Sequence, residues 1–224
     1  MFLFFKLYCN FLFVKNRTKF SQEYYNLIDQ YKHAHKNGIK KNNQALPKDI
    51  TFDGKSLRPW IKHIRDLINL TDSKSILDYG CGKAKFYNNK ININNILYKN
   101  LGEYWKIDEI KLFDPGVQEY ETYPDKNYDG VICTDVLEHI NLIDLKNVVE
   151  DIFKFSNKFI FFVISTILDQ KLLSDGRNVH QTVKDEKWWK NFFSPIIDEF
   201  KHINCIVVLT DVDGRNSNKI KRII

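Results

Sequence analysis

Apolar residues recur along the chain with two different spacings, and the change between them divides it. Residues 21–36, SQEYYNLIDQYKHAHK, carry the three-to-four spacing of a helix that opens at Ser21 and stops at Asn37-Gly38. After a polar stretch to about residue 54, residues 56–70 (SLRPWIKHIRDLINL) predict a second amphipathic helix, with Ile61, Ile64, Leu67 and Ile68 on one face. From residue 75 the pattern becomes short unbroken apolar runs: SILDYG (75–80), IKLFDPG (110–116), YDGVICTD (128–135), KFIFFVIST (158–166) and INCIVVLT (203–210). Runs of this length bounded by turn residues are what strands buried on both faces look like. Amphipathic helices are predicted between them at 142–155 and 185–200, and Pro195 should kink or divide the second. DVDGRN then predicts a turn and NKIKRII (218–224) a closing strand, which so short a connection would make antiparallel.

Strands alternating with helices predict an α/β fold: a Rossmann-like, doubly wound, mostly parallel sheet with an antiparallel C-terminal strand and an N-terminal helical extension. The expected boundaries are an apolar segment over 1–20, the extension over 21–70 and one domain over 71–224. A chain of 224 residues can bury one good core but not two comfortable ones. Its first fourteen residues, MFLFFKLYCNFLFV, are interrupted by Lys6 and Asn10 and lack a small-residue cleavage site. They fall short of the roughly 20 apolar residues of a membrane helix, so a packing segment without stable membrane insertion is expected.

Charge refines this picture. The net charge of +6 is uneven: residues 1–70 carry 13 Lys/Arg against 5 Asp/Glu, and residues 71–224 carry 21 against 23. A basic N-terminal lobe suits nucleic acid or another anionic acceptor, although lysine-rich solvated helices have the same composition. Cys9, Cys81, Cys133 and Cys205 form neither a CxxC pair nor a disulfide framework, so a reduced, cytoplasmic protein is expected. The asparagine-rich stretch at 88–95 reads as coding bias.

Candidate chemistry concentrates where strands end. In LDYGCGKAKF (77–86) a strand closes at Asp78, and Gly80 and Gly82 let the backbone turn tightly and approach a ligand. Asp114 ends the next strand, where a carboxylate can accept hydrogen bonds from the vicinal hydroxyls of a ribose. A dinucleotide loop would place a third glycine at position 85, which is Lys85. The loop therefore suits an adenosine with a short charged tail better than a nicotinamide dinucleotide.

Residues 75–165 resemble the class I S-adenosylmethionine-dependent methyltransferases, in which a strand ending D-x-G-x-G precedes a strand ending in an acid and a third strand like YDGVICTDVLEHI. The set DGKSL (53–57), ILDYGCGK, LEHI and DGRNVH (175–180) also resembles uncharacterised bacterial and phage methyltransferase-like proteins. The resemblance implies S-adenosylmethionine as cofactor. It implies that Asp78, Gly80, Cys81 and Gly82 shape the pocket for its methionine part, that Asp114 holds the ribose, and that the end of the third strand (Cys133, Thr134, Asp135) faces cofactor and acceptor. Ala84 stands where the family most often has glycine. The 36 residues from Asp78 to Asp114 exceed the roughly 20 usual in nucleotide-binding folds, which predicts an insertion around KININNILYKNLGEYW.

Asp135, Glu138 and His139 have the spacing of one helical face, and His180 lies in a loop that can return to them. Two carboxylates and two imidazoles can hold a divalent cation, Mg²⁺ being the expectation from the carboxylates. His139 or His180 can instead serve as general base, with Asp135 beside them. In the metal-independent alternative Glu138 pairs with Arg177. Trp188, Trp189, Phe192 and Phe193 are either an aromatic wall for a planar acceptor or the sheet-facing side of a helix, and the second is expected. His33 and His35 are expected to be solvated. The acceptor expected is a small molecule, a sugar-like hydroxyl or amine. RNA contacted by the basic lobe is the alternative, and cofactor binding without transfer is a third reading.

Overall fold

The computed structural model describes residues 19–211 and 220–222. Helix α1 spans Gln22–Asn37; the Ser21 side chain accepts from the Tyr24 amide at its start, and left-handed Gly38 closes it by donating to the Ala34 carbonyl. Strands β1 (Ile39–Lys41) and β2 (Gln44–Leu46) form a hairpin in the stretch that sequence patterning leaves as polar coil. The predicted second helix starts late. Residues Lys55–Trp60 form a 3-10 turn containing Pro59, and helix α2 runs over Ile61–Leu70 with Ile61, Ile64, Leu67 and Ile68 buried. Proline is tolerated there because the opening turn needs few amide donors.

Strand β3 (Ser75–Tyr79) is followed by a short helix α3 (Lys85–Asn88), a hairpin of β4 (Ile91–Ile93) and β5 (Ile96–Tyr98), and helix α4 (Leu101–Trp105). These fill the predicted insertion. Asn94 and Asn95 sit at φ +52° and +64° between β4 and β5, as Asn42 and Asn43 do at +49° and +62° between β1 and β2. Two-residue hairpins need two left-handed residues, and asparagine adopts that conformation more readily than most. Asparagines taken for coding bias are therefore turn residues.

Strand β6 (Glu109–Phe113), β7 (Tyr128–Thr134), helix α5 (Leu142–Lys154), β8 (Ser156–Ser165), β9 (Lys171–Leu172), helix α6 (Glu186–Glu199), β10 (Asn204–Thr210) and β11 (Ile220–Arg222) complete the chain. The main sheet has the order β11-β10-β8-β7-β3-β6, parallel except for β11 against β10, as predicted. Strand β9 pairs instead with β1, making a small antiparallel sheet with β2.

The strands read as continuous apolar runs because both faces are covered. Leu77, Val131, Ile160 and Phe162 share a core with Leu145, Val148 and Ile152 of α5 and Trp189 and Phe193 of α6. Their neighbours Ile76, Ile132, Phe161 and Val163 pack with Ile64 and Leu67 of α2 and Trp105 of α4. Trp189 and Phe193 are fully buried, so the sheet-facing reading of the aromatic cluster holds. Pro195 does not divide α6. Both it and Asn191, whose carbonyl it leaves without an amide partner, lie on the exposed face where water can serve. The apolar first fourteen residues lie outside the described residues, among which no helix is long and apolar enough to cross a membrane.

Candidate functional site

A cavity of about 760 Å³ opens at the carboxyl ends of β3, β6 and β7, where the strand order reverses. Ligands of parallel α/β sheets bind at such switch points, and the size falls in the range of roughly 300–1,000 Å³ common to small-molecule sites. Gly80 and Gly82 line it at φ +84° and +55°. A Cβ on Gly82 would stand 2.5 Å from the Phe52 carbonyl oxygen, and one on Gly80 would stand 2.3 Å from a Val136 methyl. Both positions need glycine for conformation and for space. The DGKSL segment explains part of this crowding: Lys83 donates its amide to Phe52, and Gly54 lies against the Cys81 carbonyl.

Asp114 also lines the cavity. Its Oδ2 accepts from the Gly82 amide and its Oδ1 from the Gly116 amide, each at 2.8 Å. The carboxylate thus ties the end of β6 to the glycine loop, and each oxygen retains capacity for a further donor. Burial pushes the Asp114 carboxyl up, opposed by those two amides and by Lys83.

Asp78 and Cys81 are not on the cavity wall. Asp78 is buried beneath the loop, where its Oδ2 accepts from the Tyr87 hydroxyl at 2.7 Å and burial pushes its carboxyl up to about 7. Burial also raises the Cys81 thiol, so no thiolate is available. Ala84, left-handed at φ +49°, faces the core on the same side and not the cavity.

At the other end of the cavity stand Thr134 and Asp135, while Cys133 is fully buried behind them. No helix starts at Asp135. It is left-handed at φ +55°, its amide donates to the Val163 carbonyl at 2.9 Å, and only a 3-10 turn follows over Leu137–His139. The predicted shared helical face is therefore absent. Glu138, His139 and His180 nevertheless meet, with one ligand atom of each within 4.8 Å of the others, and Asp135 is not in that group. The loop after β9 brings His180 there because the amides of Gln181 and Thr182 both donate to the Glu138 carbonyl, at 2.7 and 2.9 Å.

Glu138 does not pair with Arg177, which bridges Glu23 and Asp175 instead. One Glu138 oxygen accepts from the Ser165 amide at 2.8 Å, and the other, wholly buried, has no hydrogen-bond partner. Burial, and then the neighbouring Asp135, hold the Glu138 carboxyl well above the usual range. Burial, and then His180, hold the His139 imidazole well below its own.

Helix α1 closes this end. The Tyr31 hydroxyl lies 2.8 Å from His139 Nδ1 and donates to the Val179 carbonyl at 2.8 Å. His33 is exposed, as expected, but His35 is half-buried on the cavity wall. Its Nδ1 accepts from the Lys83 ammonium at 3.0 Å, which also donates to the Thr51 carbonyl. Burial and the Lys83 charge push His35 down to about 4. Tyr31, Phe52, Lys83 and Asp169 are cavity or loop partners that motif reading missed. The spacing of Tyr24, Leu27, Tyr31 and His35 on α1 was the one signal in the sequence that marked a shared face.

A family model described as a methyltransferase domain matches residues 52–204, more than half of the chain. An uncharacterised protein of Methanocaldococcus jannaschii is 29% identical over 117 residues, which are 49% of this chain and 51% of that protein. The chain thus spans about half the length of this curated relative. No solved structure matches. The match covers the glycine loop, Asp114 and the Glu138–His180 region alike, and the chain belongs to the class I S-adenosylmethionine-dependent methyltransferase family.

Proposed function

We propose that this protein transfers the methyl group of S-adenosylmethionine to an oxygen or nitrogen of a small, sugar-like acceptor. The observation that carries the reading is Asp114, a half-buried carboxylate with unused acceptor capacity, set beside the glycine loop at the switch point of the sheet. The donor set fits the cofactor: Asp114 suits vicinal ribose hydroxyls, the substituent-free Gly80 and Gly82 let the backbone approach the methionine part, and Asp135 offers negative charge to a sulfonium. When bound, S-adenosylmethionine supplies an activated methyl whose carbon–sulfur electron pair stays on sulfur as the acceptor attacks in line.

The chain's own part is alignment and proton handling. Such alignment is catalysis by proximity and orientation. Helix α1 covers the acceptor end and restricts water through Leu27, Ile28 and Tyr31. An acceptor hydroxyl lodged against His139 and His180 loses its proton there; an amine needs only its lone pair exposed. Ala84 faces away from the cavity, which favours a working transferase over a protein that binds the cofactor without turning it over.

Calorimetric titration with S-adenosylhomocysteine beside NAD⁺ tests the reading. Binding of the first and not the second supports it, and no S-adenosylhomocysteine binding overturns it. With the cofactor confirmed, strong salt-dependent binding of RNA would replace the small acceptor by a nucleic acid.

A further inference from the structure

The small antiparallel sheet sets two like charges side by side. Lys41 of β1 and Lys171 of β9 are direct cross-strand partners, and both line the cavity. Such partners project from the same face with Cβ atoms about 5 Å apart, where like charges destabilise the pairing. Only one carboxylate offsets them: Asp169 holds Lys171 at 2.6 Å. Lys41 is half-buried and forms no ion pair among the described residues. Of the other basic groups on the wall, Lys55 is paired with Asp53 at 2.7 Å and Arg58 is exposed to water. The sheet therefore gives the cavity a surplus positive charge in a partly desolvated place, where salt screens it less.

This charge stands at the acceptor end. The Phe52 ring neighbours both Lys171, whose ammonium is 5.5 Å from its centroid, and His139, whose ring is 5.9 Å away and edge-on. After burial and His180, Lys171 is the next influence holding the His139 imidazole down, whereas the ammonium that acts on Asp114 at the ribose end is Lys83. Strands β1 and β2 also lie outside residues 52–204, so Lys41 belongs to what this chain adds to the common methyltransferase domain. We propose that Lys41 and Lys171 form a subsite for an oxyanion carried by the acceptor, phosphate or carboxylate, which sets the acceptor's hydroxyl or amine toward His139. Two ammoniums against one carboxylate leave one positive charge for the ligand to neutralise, and that is what offsets the cost of pairing two lysines. That the oxyanion belongs to a methyl acceptor rests on the transferase reading; that the two lysines bind an oxyanion does not.

The test is titration of the full chain, saturated with S-adenosylhomocysteine, with inorganic phosphate and separately with acetate, in chloride buffer of low ionic strength. NMR line broadening of each anion reports its binding, and calorimetry reports S-adenosylhomocysteine affinity on the same samples. At least one anion should bind with a dissociation constant of about 1 mM or below, and the tighter of the two names the group. Lys41→Met and Lys171→Met keep the apolar stem and should each weaken that binding about tenfold or more, since a bond to a charged group is lost. Lys41→Arg should retain it. Lys40→Met should leave it within about twofold, because the neighbouring residue of a strand projects from the opposite face. Lys40 does not line the cavity. S-adenosylhomocysteine affinity should stay within about threefold in every variant, because the pair stands away from the ribose end. Binding of neither anion by protein that binds S-adenosylhomocysteine overturns the subsite alone, and so does an equal loss in Lys40→Met, which would mark a diffuse basic surface. A tenfold loss of S-adenosylhomocysteine affinity in the Lys41 and Lys171 variants assigns the pair to the cofactor's own carboxylate and overturns its acceptor role. Anion binding by protein that does not bind S-adenosylhomocysteine leaves the subsite standing and overturns the transferase reading instead.

Discussion

Asp114 joins two backbone segments and, in the proposed reading, holds the ligand as well. Its oxygens hold the amides of Gly82 and Gly116, and they remain able to accept from a ribose. Asp114→Ala therefore costs about 1–3 kcal/mol of stability from unpaired amides. It should also lower S-adenosylhomocysteine affinity by about 100-fold or more, since two bonds to a charged group are lost. Calorimetry beside a urea melt separates the two effects, and retained affinity would remove the ribose role. His35 carries a pH signature. Its folded value of about 4 lies below its ordinary 6.5, so the unfolded chain takes up the proton first as pH falls. The stability it contributes is complete above pH 6.5 and is lost between 6.5 and 4, by at most about 3 kcal/mol. Urea melts at pH 7 and 4.5 should show this loss, and His35→Gln should flatten it.

At the scale of elements, α1 is bound to the catalytic body at both ends. Ser21 caps the helix and gives its amide and hydroxyl to Asp144 at the start of α5; Arg177 holds Glu23, and Lys83 holds His35. Ser21→Ala should cost about 1–2 kcal/mol, since it removes a cap and one bond to a carboxylate. A larger loss of acceptor turnover than of cofactor affinity is expected, because α1 walls the acceptor end. A melt with paired kinetics checks both. Helix α1 was legible from its caps and period, whereas its docking was not. The hairpins were not read: their Asn-Asn turns passed for polar coil and coding bias, and their strands are three residues long and half-exposed, so no apolar alternation announced them.

The whole molecule is a sheet apolar on both faces whose switch point opens into one cavity shared by loop, strand ends and α1. A ligand that binds only the folded chain stabilises it by mass action, about 2.7 kcal/mol at one hundred times its dissociation constant. For a domain near 200 residues, S-adenosylhomocysteine at that excess should raise Tm by roughly 5–10 °C. The same excess of NAD⁺ should leave it unmoved. Differential scanning fluorimetry reads this directly, and equal shifts with both ligands would count against the adenosine-specific pocket.

Whatever depends on a few consecutive residues was determined by the sequence itself. The caps of α1, the unbroken apolar strands, the left-handed glycines after β3 and the acid after β6 are local, and each needs only its neighbours to be read. The order of the elements then limits the sheet to a parallel one with a switch point. Only the tertiary structure decided what meets across long separations. His180 reaches Glu138 because the next two residues bond the Glu138 carbonyl across 43 and 44 residues, Tyr31 reaches His139 from 108 residues away, and Asp135 leaves their group because its backbone turns left-handed. Spacing predicts a shared face only inside a regular helix. Where the backbone breaks, side chains meet according to how the whole core packs.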